Sequence, residues 1–318
     1  MVMKNKVITV IGLSGQSLFF ELDKLPQTGE TVLAGKVHEE QGGKGFNQAI
    51  ALAKLGASVN FITFVGDDDY GKKIYTKLKS YKVNPTVIKV FNQRTAVASI
   101  LTDRTGQNTV IVHPGVSENI NGDMLLPYEE IIAQSDILLM QLEYPLSIIE
   151  KGLAIAKKHN VKAIINPAPF LKTAYEYLEQ AFLLTPNEVE AKMLFSLSPD
   201  ASREELKENI RQSNFRQMVI TLGKDGVLFY HNNDFLHFPA LPLRDEEVMD
   251  TTGAGDAFNA SLAYQLAQNT DFKKAISFAT VASGLSVTKK YCLNAFPQKN
   301  EVEKILKEYE KEVAKKWN

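Results

Sequence analysis

Cysteine is almost missing from this sequence: Cys292 is the only one in 318 residues. That excludes an internal disulfide and a thiolate metal cluster, and it fits a reducing cytoplasm, where we expect the protein to act. An excess of one charge is missing too. With 36 Lys and Arg against 37 Asp and Glu, the net charge of -1 gives no general hold on nucleic acid or an anionic membrane surface. Any anionic ligand must therefore be held by local geometry. Long hydrophobic runs are absent as well. The opening MVMKNKVITVIGLSG has one apolar stretch, too brief for a membrane span and better read as a first buried strand than as a signal segment. No tract rich in Pro, Gly and Ser divides the chain, and there is no internal repeat or low-complexity segment.

Several catalytic signatures are absent. Neither GxxxxGK[ST] nor GxGxxG occurs, which removes the ordinary P-loop and dinucleotide readings. No GxSxG elbow supports a hydrolase. The five histidines, His38, His113, His159, His231 and His237, lack HExxH or similar spacing, so a structural zinc is not expected. The carboxylate-rich VGDDDYG at 65–71 invites calcium, but Leu78 stands where an EF-hand loop needs its bidentate acid. It reads as a polar loop at a strand end.

What is present is an alternation. Short apolar runs at 7–12, 59–65, 137–141, 162–165, 182–185 and 217–221 are separated by segments with helical spacing, such as Phe46, Ile50, Ala53 and Ile148, Leu153, Ala156. This predicts a mainly parallel sheet covered on both faces. Two regions, about 15–42 and 94–113, alternate polar and apolar residues around turn signals and read as antiparallel strands of a small β lid outside the main sheet. The stretch with Val302, Ile305, Leu306, Tyr309 and Val313 is an amphipathic terminal helix, with Trp317 beside it.

Six stretches could carry chemistry. In DTTGAGDAFNASLAYQL, Phe258, Leu262 and Leu266 predict a helix starting near Gly253. Its free N–H groups could form an anion site, which glycine lets a phosphate approach. Equally, Thr251 or Thr252 could cap the helix while Asp256 complements its dipole. QGGKGFNQA, at 41–49, is either a flexible turn with a surface lysine or a polar-ligand site using Lys44 and Asn47. Gln141-Leu142-Glu143 and Asn166-Pro-Ala-Pro follow successive apolar runs, as do the segments 185–190 and 221–226. In an open parallel sheet, ligands bind outside those strand ends.

Taken together, QGGKGFNQA followed by VGDDDYG resembles the first signature of the ribokinase-like, or PfkB, carbohydrate kinases, and DTTGAGDAF resembles the second. PQTGET, QLE, NPAP, TPNEVEA and TLGKDG occur in the order that family shows, across nearly the whole chain. The resemblance implies one kinase domain over 1–318, a three-layer αβα sandwich with a β lid, that phosphorylates an alcohol of a sugar or nucleoside with ATP and magnesium. By motif position it makes Asp256 the general base and Gly253, Ala254 and Gly255 the anion hole. Ser17, Gly42, Gly43, Lys44, Asn47, Glu143 and Asp250 fall on the acceptor side. Asn187, Thr221, Gly223 and Gly226 fall on the nucleotide side, and Glu190 on magnesium through water. A homodimer paired through the lid is also implied, since exposed strands are adhesive edges.

Two departures narrow the expectation. Where many ribokinases carry Asn-x-Asp, this chain has Gly15 and Ser17, and a neutral serine cannot replace a carboxylate clamp on a sugar diol. Ribose itself is therefore in doubt. VTKKYCLNAFP places Tyr291, Cys292 and Ala295 where the family's potassium-associated pattern would stand, which leaves potassium open. As a helix-start carboxylate, Asp256 is expected to have a lowered pKa. A nucleoside kinase is the alternative enzyme, and a catalytically silent sugar or nucleotide sensor is the alternative outside enzymes.

Overall fold

The computed structural model describes residues 6–105 and 107–317. Residues 1–5 of the opening stretch and Gly106 of the expected lid lie outside them. The main sheet is built from β1 (Val7–Ile11), β4 (Ser58–Gly66), β5 (Asn84–Val90), β8 (Ile137–Gln141), β9 (Lys162–Asn166), β10 (Leu183–Leu184), β11 (Gln217–Thr221), β12 (Val227–His231) and β13 (Asp234–Phe238). Its order is β13-β12-β11-β10-β9-β8-β1-β4-β5. All neighbours run parallel except β11–β12 and β12–β13, which are antiparallel.

The continuous apolar runs follow from burial on both faces. Along β8, Ile137 and Leu139 join one core while Leu138 and Met140 join the other. The first core lies under helices Lys44–Lys54, Ala254–Ala267, Phe272–Ser286 and Lys299–Trp317; the second lies under Leu146–Lys158, Glu188–Leu194 and Arg203–Arg211. No helix among the described residues is long and apolar enough to cross a membrane.

The structure adds to the expected elements. β5 begins Asn-Pro and is only partly buried along its length because it is an edge strand, where proline costs no ladder bond. The β12–β13 hairpin turns through Asn232 and Asn233, both with positive φ, as a two-residue hairpin loop requires. VGDDDYG is a loop only in part: Asp68 caps the helix Asp69–Ser80, accepting from Gly71 N at 3.0 Å. The same carboxylate accepts from Thr95 N at 2.8 Å and Thr95 Oγ1 at 2.6 Å, tying the strand end to the start of the lid.

A second sheet contains β2 (Gly15–Glu21), β3 (Lys36–Gly42), β6 (Ala96–Thr102) and β7 (Asn108–His113), in the order β3-β2-β6-β7. Its β2–β3 and β6–β7 pairs are antiparallel, whereas the central β2–β6 pair is parallel. The reason is topological. β2 leaves the main sheet after β1, β6 leaves it after β5, and both run outward side by side.

Candidate active site

β1 lies between β8 and β4, so the chain builds outward from it in both directions. Ligand crevices of open α/β sheets form beyond the strand ends at such a point. There, β3 runs through Gly42 and Gly43 into the helix Lys44–Lys54, opposite the start of helix Ala254–Ala267.

The second helix does not start on a threonine cap. Gly253 is its cap residue, in the left-handed region at φ 80°, and a Cβ there would collide with Cys292 Sγ. Only glycine meets both conditions without strain. The Asp250 carboxylate shapes the preceding turn by accepting from Thr252 N at 2.9 Å. Intrahelical bonding begins with Ala257 N–H to Gly253 O, so the amides of Gly255 and Asp256 lie in the turn that has no intrahelical acceptor. The space beside Gly255 is open. This helix is buried on almost every side, beyond the expected stripe of Phe258, Leu262 and Leu266, because it is packed between the sheet and two neighbouring helices.

Asp256 is only 7% exposed. One carboxylate oxygen accepts from Asn47 Nδ2 at 2.9 Å and the other from Gln48 Nε2 at 3.0 Å. Burial raises its pKa, against the pull of Lys44, Asn47 and Gln48 towards the charged form. This corrects the lowered pKa expected from the helix start alone, since desolvation outweighs the stabilising groups.

Gln48 belongs to a buried polar relay that sequence motifs did not single out. Its Oε1 accepts from Gln141 Nε2 at 2.6 Å, and its Nε2 also reaches Asn166 Oδ1 at 3.4 Å. Asn166 Nδ2 donates to Thr185 O at 3.0 Å, Thr185 Oγ1 donates to Asn259 Oδ1, and Asn259 Nδ2 donates to Gly255 O at 2.9 Å. The relay thus reaches both Asp256 and the helix start. QLE, NPAP and TPN marked three of its members as strand-end residues, but not their connection.

Glu143 accepts from Lys44 N at 2.8 Å and so supplies an anion to the start of helix Lys44–Lys54, whose first turn has no acid of its own. Burial pushes its carboxyl up to about 7, against the opposing pull of Lys44. Burial draws the Lys44 ammonium down, but Asp256, Glu143 and Glu190 outweigh it and its pKa is raised. Ser17 lies on β2 opposite Glu40 of β3, two positions along from the Gly15–Gly42 pair.

Asn187 and Glu190 form a capping box: Glu190 N donates to Asn187 Oδ1 at 2.8 Å, and Asn187 N to Glu190 Oε2 at 2.9 Å. Burial raises the Glu190 pKa, while the Asn187 amide and Lys44 favour its charged form. Asn187 also forms a parallel bridge with Thr221. Thr221, Gly223 and Gly226 line a cavity of about 800 Å³ that ends at Ala254 and Gly255. Gly226, at φ 93°, leaves no room for a Cβ beside Phe238 O. Sequence reasoning missed Arg203 on this cavity's rim, where it holds Asp225 at 2.6 Å and Glu188 at 3.2 Å.

The arrangement is a cavity leading to the start of a helix that carries a buried carboxylate. Ribokinase of Bacillus subtilis is 35% identical over 299 residues, which cover 94% of this chain and 99% of that protein. Ribokinase of Lactococcus lactis is 36% identical over 307 residues, covering 95% and 98%. The structure of Arabidopsis thaliana ribokinase complexed with ribose and ATP matches with a TM-score of 0.86 at 28% identity, covering 96% of this chain and 99% of that one. The fold is ribokinase-like. With the family model for pfkB family carbohydrate kinases matching residues 6–299, the chain belongs to that family of phosphotransferases with an alcohol acceptor.

Proposed function

We propose that this sugar kinase transfers the γ-phosphoryl group of ATP to a hydroxyl of a small neutral sugar, with Asp256 as general base. The observation that carries this is the buried Asp256 carboxylate, held by Asn47 and Gln48 in the first turn of a helix whose start closes the cavity. The acceptor oxygen attacks the γ-phosphorus, its proton passes to Asp256, and the bond to the bridging oxygen breaks to release ADP. A raised pKa makes Asp256 a better proton acceptor than an exposed carboxylate. The backbone from Gly253 to Gly255 stabilises charge on the transferred group, as phosphoryl transfer requires.

In this reading Thr221, Gly223, Gly226 and Asn187 hold the nucleotide. Gly42, Gly43, Lys44, Asn47, Glu143, Ser17 and Asp250 surround the acceptor, Glu143 acting through the helix start that it caps. Among the described residues, no group of three or more acidic, His or Cys side chains could hold a metal. Magnesium would therefore rest on phosphate oxygens and water, with Glu190 reaching that water through the oxygen not used by Asn187 N. When bound, it neutralises phosphate charge.

The whole chain acts as one kinase domain in the cytoplasm, and two copies pair through the lid. The pairing is supported by Val110, Ile111 and Val112 of β7, which are 51%, 63% and 59% exposed. A monomeric mass at working concentration would count against it.

The test of function is ADP release over D-ribose, 2-deoxy-D-ribose, hexoses and inosine. We expect magnesium-dependent turnover with a free sugar. Its absence for every acceptor in well-folded protein would overturn the kinase reading, and preference for inosine over all free sugars would move the acceptor to nucleosides.

A further inference from the structure

The lid carries a carboxylate on the acceptor side that no family motif accounts for. Glu40 is the direct cross-strand partner of Ser17, and His38 is the partner of Phe19, so these four side chains share one face of the sheet. Ala98 of β6, opposite Ser17, belongs to the same face. The face lies at the base of the lid: a Cβ on Gly42 would stand 2.9 Å from Ser17 Oγ, and Gly42 is followed within five residues by Asn47.

Glu40 is half-buried, and its surroundings converge on the site. Burial raises its pKa; His38, the Leu293 amide and Lys77 oppose that rise, and Asp250 adds to it. The neighbouring Cys292 thiol, whose sulfur meets the Cβ position of Gly253, is pushed up by burial and then by Asp256, Glu40 and Asp250. The 291–292 segment thus adjoins the helix start through Cys292 and the lid through Tyr291. Among the described residues, no cation lies within ion-pair distance of Glu40. Two further polar atoms here are buried without a hydrogen-bond partner, His38 Nε2 and Asn47 Oδ1. Buried polar atoms are costly unless something completes them. The ring of His38 packs 4.5 Å from that of Tyr291, closing this wall between the lid and the 291–295 turn.

We infer that Glu40 determines acceptor specificity: from β3 it supplies the carboxylate that Ser17 on β2 does not, accepting hydrogen bonds from hydroxyls of a neutral polyol at the end remote from Asp256. The inference rests on the kinase reading above and deepens it. Two carboxylate oxygens suit paired hydroxyl donors. Glu40 and Asp250 together disfavour anionic acceptors such as sugar acids and sugar phosphates.

Glu40→Gln keeps the shape and removes the charge. With D-ribose, 2-deoxy-D-ribose, D-fructose and inosine as probes, the KM of the best acceptor should rise about tenfold or more, as expected when a charged hydrogen bond is weakened. The KM for ATP and the thermal midpoint should stay near wild type. Adding Ser17→Asp to Glu40→Gln should recover part of the loss by returning a carboxylate to the same face. Calorimetric titration of these compounds, in the presence of ADP, reads the affinities without turnover. Absence of phosphorylation would thus sink the kinase reading alone. Acceptor affinities and kcat/KM within twofold of wild type would overturn the role of Glu40, as would equal losses for acceptor, ATP and thermal stability.

Discussion

The two walls of the site are built differently. On the body wall, Asp256 is buried and each of its oxygens is held by an amide, within a relay running from Gln141 to Gly255. On the lid wall, Ser17, His38 and Glu40 lie half-buried on a four-stranded sheet, and the His38 Nε2 is unpartnered. A buried carboxylate with both oxygens held keeps one geometry, even though Asn47 Oδ1 and Gln141 Oε1 beside it are unpartnered, whereas the half-buried lid wall has polar groups at the surface that a ligand can complete. On the proposed reading this is a division of labour: the body performs phosphoryl transfer and the lid selects what receives it. The departures from the family pattern at Gly15 and Ser17 fall on the selecting wall.

Breaking the body wall should have the largest effect. Asp256→Asn is expected to lower kcat roughly 10³-fold, the scale of a general base, while nucleotide affinity measured by ADP titration changes little. Gly253→Val, which forces a β-branched residue into φ 80° against Cys292, should cost about 10²-fold in kcat by displacing the amides of the helix start. Steady-state kinetics with a thermal midpoint separates that loss from unfolding.

Gln48→Met removes a donor that favours charged Asp256 and should lower kcat about tenfold. The sign of its pH effect follows. Losing that donor raises the Asp256 pKa further, so the acid limb of kcat/KM moves to higher pH, as a pH profile of the variant would show.

The last prediction concerns stability rather than turnover. Glu143 is held at about 7 in the folded protein, above its ordinary 4.5, so the native state binds this proton more tightly than the unfolded chain. Its contribution is fully present below about pH 4.5 and is lost as pH rises through about 7. Glu143→Gln should therefore gain stability relative to wild type between pH 4 and pH 8, by up to about 3 kcal/mol, measurable by urea unfolding at both pH values.

Much of this was legible in the sequence, for identifiable reasons. Strands buried on both faces, such as β8, show as unbroken apolar runs, and the motif residues of the site occur in short contiguous stretches. β5 and the β12–β13 hairpin form the two edges of the sheet, and β5 and β13 are only partly buried, so their signal is weaker. The parallel β2–β6 pair depends on how two distant segments leave the main sheet, which local patterning does not encode. Gln48 lies beside Asn47 in a recognised motif, yet its partner Asp256 is 208 positions away. The direction of the Asp256 pKa was missed for the same reason: the helix start is local, but the burial that overrides it comes from packing.

The division between the walls is tested most directly by measuring kcat/KM for the same acceptor panel in Gln48→Met and Glu40→Gln. The account predicts that Gln48→Met lowers every acceptor by a similar factor and preserves their ranking, whereas Glu40→Gln changes the ranking. A reordered panel in Gln48→Met, or a uniform loss in Glu40→Gln, would contradict it.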